Sequence, residues 1–453
     1  MTRLFGTDGV RAVANAVLTP ELMTALGRAL SVHLSGAASA RRRVVVGRDP
    51  RPSSELLEAA FLAGLCSAGS DAITVGVVPT AAVAYLTTHF GAAAGAVITA
   101  SHNPLEDNGL KLFDHAGHKY SEADEILIEG LVHAGTTPWP TLRGRAVGRI
   151  RNHSHIASEI YISHLMAEMP DLDGVVLTVD CANGASATIA PAAYRQAGAT
   201  VIEIAGDTSG NKINCGVGAT NPEYLQQALG NDLSSIGFAH DGDADRLLAV
   251  DELGRIVDGA DLLAIFAVDA QQRGQLNHDA LVTTPMTNSG LGTSLANRGI
   301  KVVESSIGDR AVLRTMLANG YSLGGEQNGH VISLARATTG DGILSGLRLL
   351  EIMQRSGKKL HELTAVWCRQ PQRIVNIPVQ DRQFLERSRG LKQLVTEERE
   401  RLVDMGGRLI VRLSTIENIV RVVCEGPDDD TADSVTTRVV ADIYSRLENE
   451  AQG

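Results

Sequence analysis

Short apolar runs alternate with helix-like patterns over most of the chain, and this alternation constrains the fold more than any other feature. The clearest run, residues 92–98, predicts a buried strand. It stops at Thr99-Ala100-Ser101-His102-Asn103-Pro104, where Pro104 bars regular continuation. Chemistry in α/β folds gathers at strand ends, so Ser101 is expected at the mouth of a strand. A hydroxyl there can carry a covalent group, and His102 and Lys111 are close enough in sequence to tune its charge or move protons. An ordinary Ser-His-Asn-Pro turn is the plainer reading.

Earlier in the chain, Thr19-Pro20-Glu21 predicts a helix start, with Thr as cap, Pro in the first turn and Glu complementing the dipole. Strands are expected at 44–46 and 72–75, a helix from Ser54 and another from Pro79 to Tyr85. The same alternation continues through 149–253 and 254–368. After about residue 369 it changes to strand, helix, strand, strand, helix, which predicts a small unit with an antiparallel sheet. Four domains are therefore expected, at 1–148, 149–253, 254–368 and 369–453. Length alone, 453 residues, points to about three.

Charge and cysteine usage narrow the partners. The net charge of -11 disfavours bulk binding to nucleic acid or to an anionic membrane. Phosphate would have to be met by local cations. Five cysteines with no Cys-x-x-Cys pair suggest neither a zinc site nor a disulfide framework. No signal-like start and no long apolar run is present, so a cytoplasmic protein is expected.

Three further stretches could carry chemistry. Asp241, Asp243 and Asp245 alternate, and in an extended segment they project to one side. Such carboxylates repel unless a cation neutralises them, and hard oxygen donors suit Mg2+ or Ca2+. Glu252 stands at the twelfth position from Asp241, as in an EF-hand, but Arg246 occupies the sixth position, where that loop needs Gly. Arg246 could serve as counter-ion or hold an anion. Glu326, Asn328 and His330 lie between glycines and could meet sugar hydroxyls, with His330 also a proton carrier. Arg412, Ser414, Thr415, Glu417 and Arg421 surround a turn that could form an anion site; an ordinary charged hairpin is the alternative.

Together these stretches resemble the α-D-phosphohexomutase family. Phe5-Gly6-Thr7-Asp8-Gly9-Val10-Arg11 is similar to its opening motif, and Thr99 to Pro104 to its phosphoserine loop. Asp241 to Arg246 is similar to the metal loop, and Gly325 to His330 to the sugar loop. The resemblance implies three related α/β domains with mixed sheets plus a smaller C-terminal α+β domain, around a central cleft. It implies Ser101 as phosphoserine and one Mg2+ per chain, held by Asp241, Asp243, Asp245 and the Ser101 phosphate. Arg11, His102 and Lys111 would flank the transferring phosphoryl group, with Lys111 and His330 as acid/base candidates. Glu326 and Asn328 would contact the sugar, and Arg412, Ser414, Thr415 and Arg421 would hold the phosphate that is not reacting.

The implied activity interconverts glucosamine 6-phosphate and glucosamine 1-phosphate through a sugar bisphosphate that also primes the enzyme. Its product leads toward UDP-N-acetylglucosamine and cell-wall precursors. Gln327 favours this branch over phosphomannomutase or phosphoglucomutase activity. The other alternative is a phosphosugar-binding paralogue without turnover, which the altered phosphate loop suggests: Thr415 and Ile416 replace the family's Gly and Thr. The partner is a phosphosugar and the protein a monomer or homodimer.

Overall fold

The computed structural model describes residues 3–6, 8–36, 42–134, 139, 141–167, 169–230, 235–380, 384–413 and 418–452. Its strands form four sheets that follow one another along the chain. The first orders its strands as Val10–Val13, Asp107–Asp114, Ala94–Ile98, Arg43–Arg48, Asp71–Val77 and Ile150–Asn152. Arg43–Arg48 runs parallel to both neighbours, whereas Asp107–Asp114 is antiparallel to both of its own. Ile150–Asn152 joins as the edge strand, just past the expected border at 148. The second sheet runs Ile256–Val257, Leu248–Val250, Ile236–Ala239, Val176–Asp180, Thr200–Ile204. The third runs Lys301–Glu304, Ala280–Thr283, Leu323–Gly325, Val331–Ser333. The last sheet is antiparallel, with Ile419–Glu425 between Gln372–Pro378 and Arg408–Leu413. Three mixed α/β layers and a smaller α+β unit thus match the expected architecture.

Local chemistry explains most element ends. Thr19 caps helix Pro20–His33 by accepting from the Leu22 amide, with Pro20 at the first turn. The second helix, Pro52–Ser67, starts two residues before the expected Ser54. Pro52 supplies the preset φ of a first turn, which leaves the Ser54 hydroxyl to donate to Asp49 Oδ1 at 2.7 Å. Helix Thr80–His89 runs past its expected end at Tyr85, and the third unit opens with helix Gly259–Gln272. The latter is buried around most of its circumference, as its apolar composition requires. One continuous core joins side chains of the first three units, including Val45, Phe113, Tyr161, Phe238 and Leu263. The last unit keeps its own core around Phe384, Val422 and Val439. Among the described residues, no helix is long and apolar enough to cross a membrane.

Polar contacts then close the units on one another. Arg310 grips the buried Glu125 carboxylate with two bonds, at 2.7 and 2.6 Å. Glu425, wholly buried, accepts from Arg408 at 2.8 Å and Gln372 at 2.7 Å within the last unit and from the Ser289 amide of the third unit at 3.2 Å, while Arg408 donates across to the Thr287 carbonyl at 2.7 Å, so these contacts seat the last unit on the third. Glu252 does not face the aspartates. It accepts from the Leu360 and His361 amides and so caps the start of a short helix instead.

Candidate active site

Strand Ala94–Ile98 ends one turn before Ser101, whose side chain is fully buried and whose backbone takes a φ of 51°. A non-glycine residue in that region is strained and persists only where its surroundings hold it. Here the buried Arg51 does most of the holding. Its guanidinium donates to the carbonyls of Ser101 at 3.0 Å, Asn103 at 2.8 Å, Asp107 at 3.1 Å and Pro104. Its Nε is fixed by Asp49 at 2.9 Å. Asn214 adds bonds from the second unit to the same Ser101 and Asn103 carbonyls, at 2.8 and 3.1 Å. Two glycines let these loops close. A Cβ at Gly242 would fall 2.4 Å from the Ser101 carbonyl oxygen, and one at Gly210 1.7 Å from that of Pro50.

The Ser101 hydroxyl donates to Asp241 Oδ2 at 2.6 Å and lies 3.3 Å from His102 Nδ1. Asp241, Asp243 and Asp245 do converge, but not by strand alternation. They lie on a turn after strand Ile236–Ala239, with Ala244 at a φ of 55°. One oxygen from each of the three lies within 4.8 Å of the other two. Burial, with Asp245 and Asp243 beside it, pushes the Asp241 pKa up to about 7. Lys111 Nζ sits against this group, 2.7 Å from Asp243, 2.9 Å from Asp245 and 3.2 Å from Asp8. Burial works against the ammonium, yet those carboxylates outweigh it and hold the Lys111 pKa well above its ordinary value. Arg246 closes the other side, 3.9 Å from both Asp241 and Asp245. Arg246, burial and Arg11 together drive the His102 pKa down to about 2, so its ring is neutral.

The aspartates fit a hard divalent cation. Asp243 Oδ1 and Asp245 Oδ1 are buried without a hydrogen-bond partner, and an all-oxygen donor set is what Mg2+ takes. Thr80 orients the set by donating to Asp243 Oδ2 at 2.6 Å.

His330 lies deep in the same cluster, 3.5 Å from both Asp245 and Asp309, and its Nε2 accepts from the Gly340 amide at 3.1 Å. Burial disfavours its charged form, but Asp245 and Asp309 raise its pKa nonetheless. Glu326 accepts from the Gly308 amide at 3.2 Å and from Asn328 at 3.3 Å, while Asn328 itself is exposed. Gln327 faces inward, bonding Asp258 at 3.0 Å and the Asn288 amide at 3.1 Å, so its amide braces the loop. Arg412 and Arg421 are directly opposed across the last sheet. Like charges so placed repel, and Arg412 Nε is buried with no partner, which suits an anion between them. Ser414, Thr415, Ile416 and Glu417 lie outside the described residues.

Sequence reasoning passed over several members of the cluster. Asp8, quoted in the opening motif but given no role, salt-bridges Lys111, Lys119 and Arg11. Lys119 and Asp309 bond each other across the first and third units. Thr80, Arg51 and Asn214 carried no local signal beyond their polarity.

A buried serine hydroxyl on a carboxylate trio, ringed by Lys111, Arg246 and Arg11 within a four-part α/β chain, defines the class of α/β enzymes that handle phosphoryl groups. Family models bear this out along the whole chain. The alpha/beta/alpha domains I, II and III of phosphoglucomutase/phosphomannomutase match residues 2–138, 159–254 and 258–369, and the C-terminal domain matches 374–442. The chain belongs to the phosphoglucomutase/phosphomannomutase family. It is 46% identical over 445 residues to a phosphoglucosamine mutase of Mycobacterium sp. (strain KMS), covering 98% of this chain and 99% of that protein. A phosphoglucosamine mutase of Pelotomaculum thermopropionicum is 45% identical over 440 residues, covering 96% and 98%. Among solved structures, a phosphoglucomutase/phosphomannomutase family protein of Burkholderia thailandensis superposes with a TM-score of 0.80 at 22% identity, over 98% of each chain. An Aspergillus fumigatus N-acetylphosphoglucosamine mutase in complex with glucose 1,6-bisphosphate does so with a TM-score of 0.69 at 18% identity, over 99% of this chain and 96% of that one. At these identities the two structures speak for the fold.

Proposed function

We propose that this protein is a phosphosugar mutase that interconverts glucosamine 6-phosphate and glucosamine 1-phosphate, with Ser101 as its phosphoryl carrier. The observation that carries the reading is near-full-length likeness to phosphoglucosamine mutases in a chain whose Ser101 hydroxyl rests on Asp241 at 2.6 Å. The phosphate on Ser101 passes to a free hydroxyl of the sugar monophosphate. The P–Oγ bond breaks, a P–O bond to the sugar forms, the sugar hydroxyl proton goes to a base, and a proton returns to the Ser101 oxygen. The bisphosphate then returns its other phosphoryl group to Ser101, so a bisphosphate also primes the unphosphorylated chain.

Asp241, Asp243 and Asp245 would hold one Mg2+, which when bound offsets phosphate charge. Lys111, Arg246 and Arg11 supply fixed positive charge around the serine, so little reorganisation accompanies transfer. His330, with its raised pKa, is the proton carrier that faces this cluster, while Lys111, held charged by Asp243, Asp245 and Asp8, serves as a fixed cation. Glu326 and Asn328 present acceptors and donors to the sugar ring. Arg412 and Arg421 clamp the distal phosphate, and the sugar must reverse between the two transfers.

A panel of glucosamine, N-acetylglucosamine, glucose and mannose phosphates, assayed with Mg2+ and glucose 1,6-bisphosphate, tests the assignment. Fastest turnover on the glucosamine pair is expected. Equal or faster turnover on glucose or mannose phosphates would move the protein to another branch of the family. Ser101→Ala is expected to keep the fold, lose turnover and gain no phosphate mass from the bisphosphate. Full activity in that variant would place the phosphoryl carrier elsewhere.

A further inference from the structure

Between the short turn Thr364–Val366 and strand Gln372–Pro378 the chain crosses from the third unit to the last as a linker without regular structure. Two side chains of the third unit hold it. Asp258, the cap of helix Gly259–Gln272, accepts from Arg369 at 2.8 and 3.0 Å. Asn288 spans Gln370, donating to its carbonyl at 3.0 Å and accepting from its amide at 3.0 Å. The linker packs closely here: a Cβ at Gly290 would fall 2.2 Å from the Cys368 carbonyl oxygen. The residues on either side of Asn288 meet the last unit itself. The Thr287 carbonyl accepts from Arg408 at 2.7 Å, and the Ser289 amide donates to Glu425 at 3.2 Å.

The sugar loop is fastened to the same two residues by one side chain. Gln327 Nε2 donates to Asp258 Oδ2 at 3.0 Å, and Gln327 Oε1 accepts from the Asn288 amide at 3.1 Å. The Gln327 carbonyl also accepts from the Gly259 amide at 3.0 Å. Both ends of the Gln327 amide are thus engaged by protein partners, and each partner bonds the linker directly. A side chain so placed does not meet the sugar. What it fixes is where the loop stands relative to the linker. Glu326 and Asn328 ride on that loop, and Arg412 and Arg421 on the unit beyond the linker.

We propose that Gln327 is a positioning residue that couples the sugar loop to the seat of the last unit through Asp258 and Asn288. It thereby sets the span between the sugar contacts and the distal phosphate clamp; this rests on the phosphosugar reading of the cleft. A ligand held at both ends needs that span correct before it binds, whereas Ser101 stands on the first unit and keeps its own support. An altered span therefore acts on binding more than on transfer.

Hydrogen exchange of the free full chain, read on peptides covering residues 367–371, tests the link without substrate. Gln327→Met keeps the length of the side chain and removes both of its bonds. Exchange across the linker is expected to rise by about tenfold. Unchanged linker exchange in the folded variant would overturn the proposal. Arg369→Lys, at an exposed position, loses the paired bonds to Asp258 and keeps the test open should Gln327→Met not fold. It is expected in turn to speed exchange across residues 325–330, because coupling is reciprocal. No change there would count equally against the proposal. Steady-state kinetics on glucosamine 6-phosphate give the second reading. Each variant is expected to raise KM by about tenfold, with kcat altered less than about threefold. The double variant is expected to raise KM no further than the larger single effect. Effects that multiply in the double variant, or a fall in kcat at constant KM, would overturn the proposal. The exchange measurement involves no substrate, so failure of the mutase assignment would leave its result standing.

Discussion

Thr80 donates a buried hydroxyl to Asp243 from the first residue of its helix, and no sequence pattern marks it. Groups that orient a metal ligand in this way typically contribute 10–100-fold to metal affinity. Thr80→Val keeps the shape and removes the donor. It is expected to raise the Mg2+ concentration for half-maximal activity by about tenfold, with the plateau rate changed less. An unchanged Mg2+ dependence would show that Lys111 orients Asp243 alone. The arginines of the last sheet were legible as a pair because they flank a turn. That they stand opposite each other is a matter of register, which only the folded sheet displays.

At the level of elements, the serine loop depends on Arg51, a residue fifty positions away in sequence. Lysine at this position keeps the charge but cannot serve four carbonyls from one plane. Arg51→Lys is expected to lower kcat by about 10-fold to 100-fold through misplacement of Ser101, with KM for the sugar phosphate little changed. A rise in KM at constant kcat would assign Arg51 to substrate binding instead.

Helix Gly342–Ser356 offers a pH test. Its cap, Asp341, accepts from the Leu344 amide at 2.9 Å and the Tyr161 hydroxyl at 2.6 Å, yet burial pushes its pKa up to about 6 from an ordinary 3.8. The folded state therefore favours the protonated acid. Its contribution to stability is complete below 3.8 and is lost as pH rises through about 6. Asp341→Asn removes that dependence, so its Tm relative to the parent should climb between pH 4.5 and pH 8. A constant difference would mean that the carboxyl titrates normally.

At the level of the molecule, Arg412 comes within the field of Glu326 because the last unit is seated on the third. Glu425 ties Arg408 and Gln372 of its own unit to the Ser289 amide of the third, while the neighbouring Asn288 amide donates to Gln327. Glu425→Ala removes the nearer carboxylate of the half-buried Arg408, which keeps Glu304 at 3.4 Å and the Thr287 carbonyl at 2.7 Å, and leaves the Ser289 amide without its acceptor. It is expected to raise KM for sugar phosphates more than it lowers kcat, and to split the calorimetric unfolding transition. A single transition with unaltered KM would show that the last unit is seated by other contacts.

The strand-and-helix alternation, the abrupt stop at Ser101, the aspartate run and the fourfold division could be read from the chain because each is written in neighbouring residues. Periodicity, turn chemistry and charge spacing are local properties, and local rules govern them. The expectation for the aspartates reached the right grouping through the wrong geometry, since a turn and not strand alternation converges them. What brings Asp8, Thr80, Lys119, Asn214 and Asp309 to one serine is the packing of separate sheets over a shared core. Burial in that packing removes the water that would otherwise screen these charges, and only there do their pKa values move and their pairings become specific.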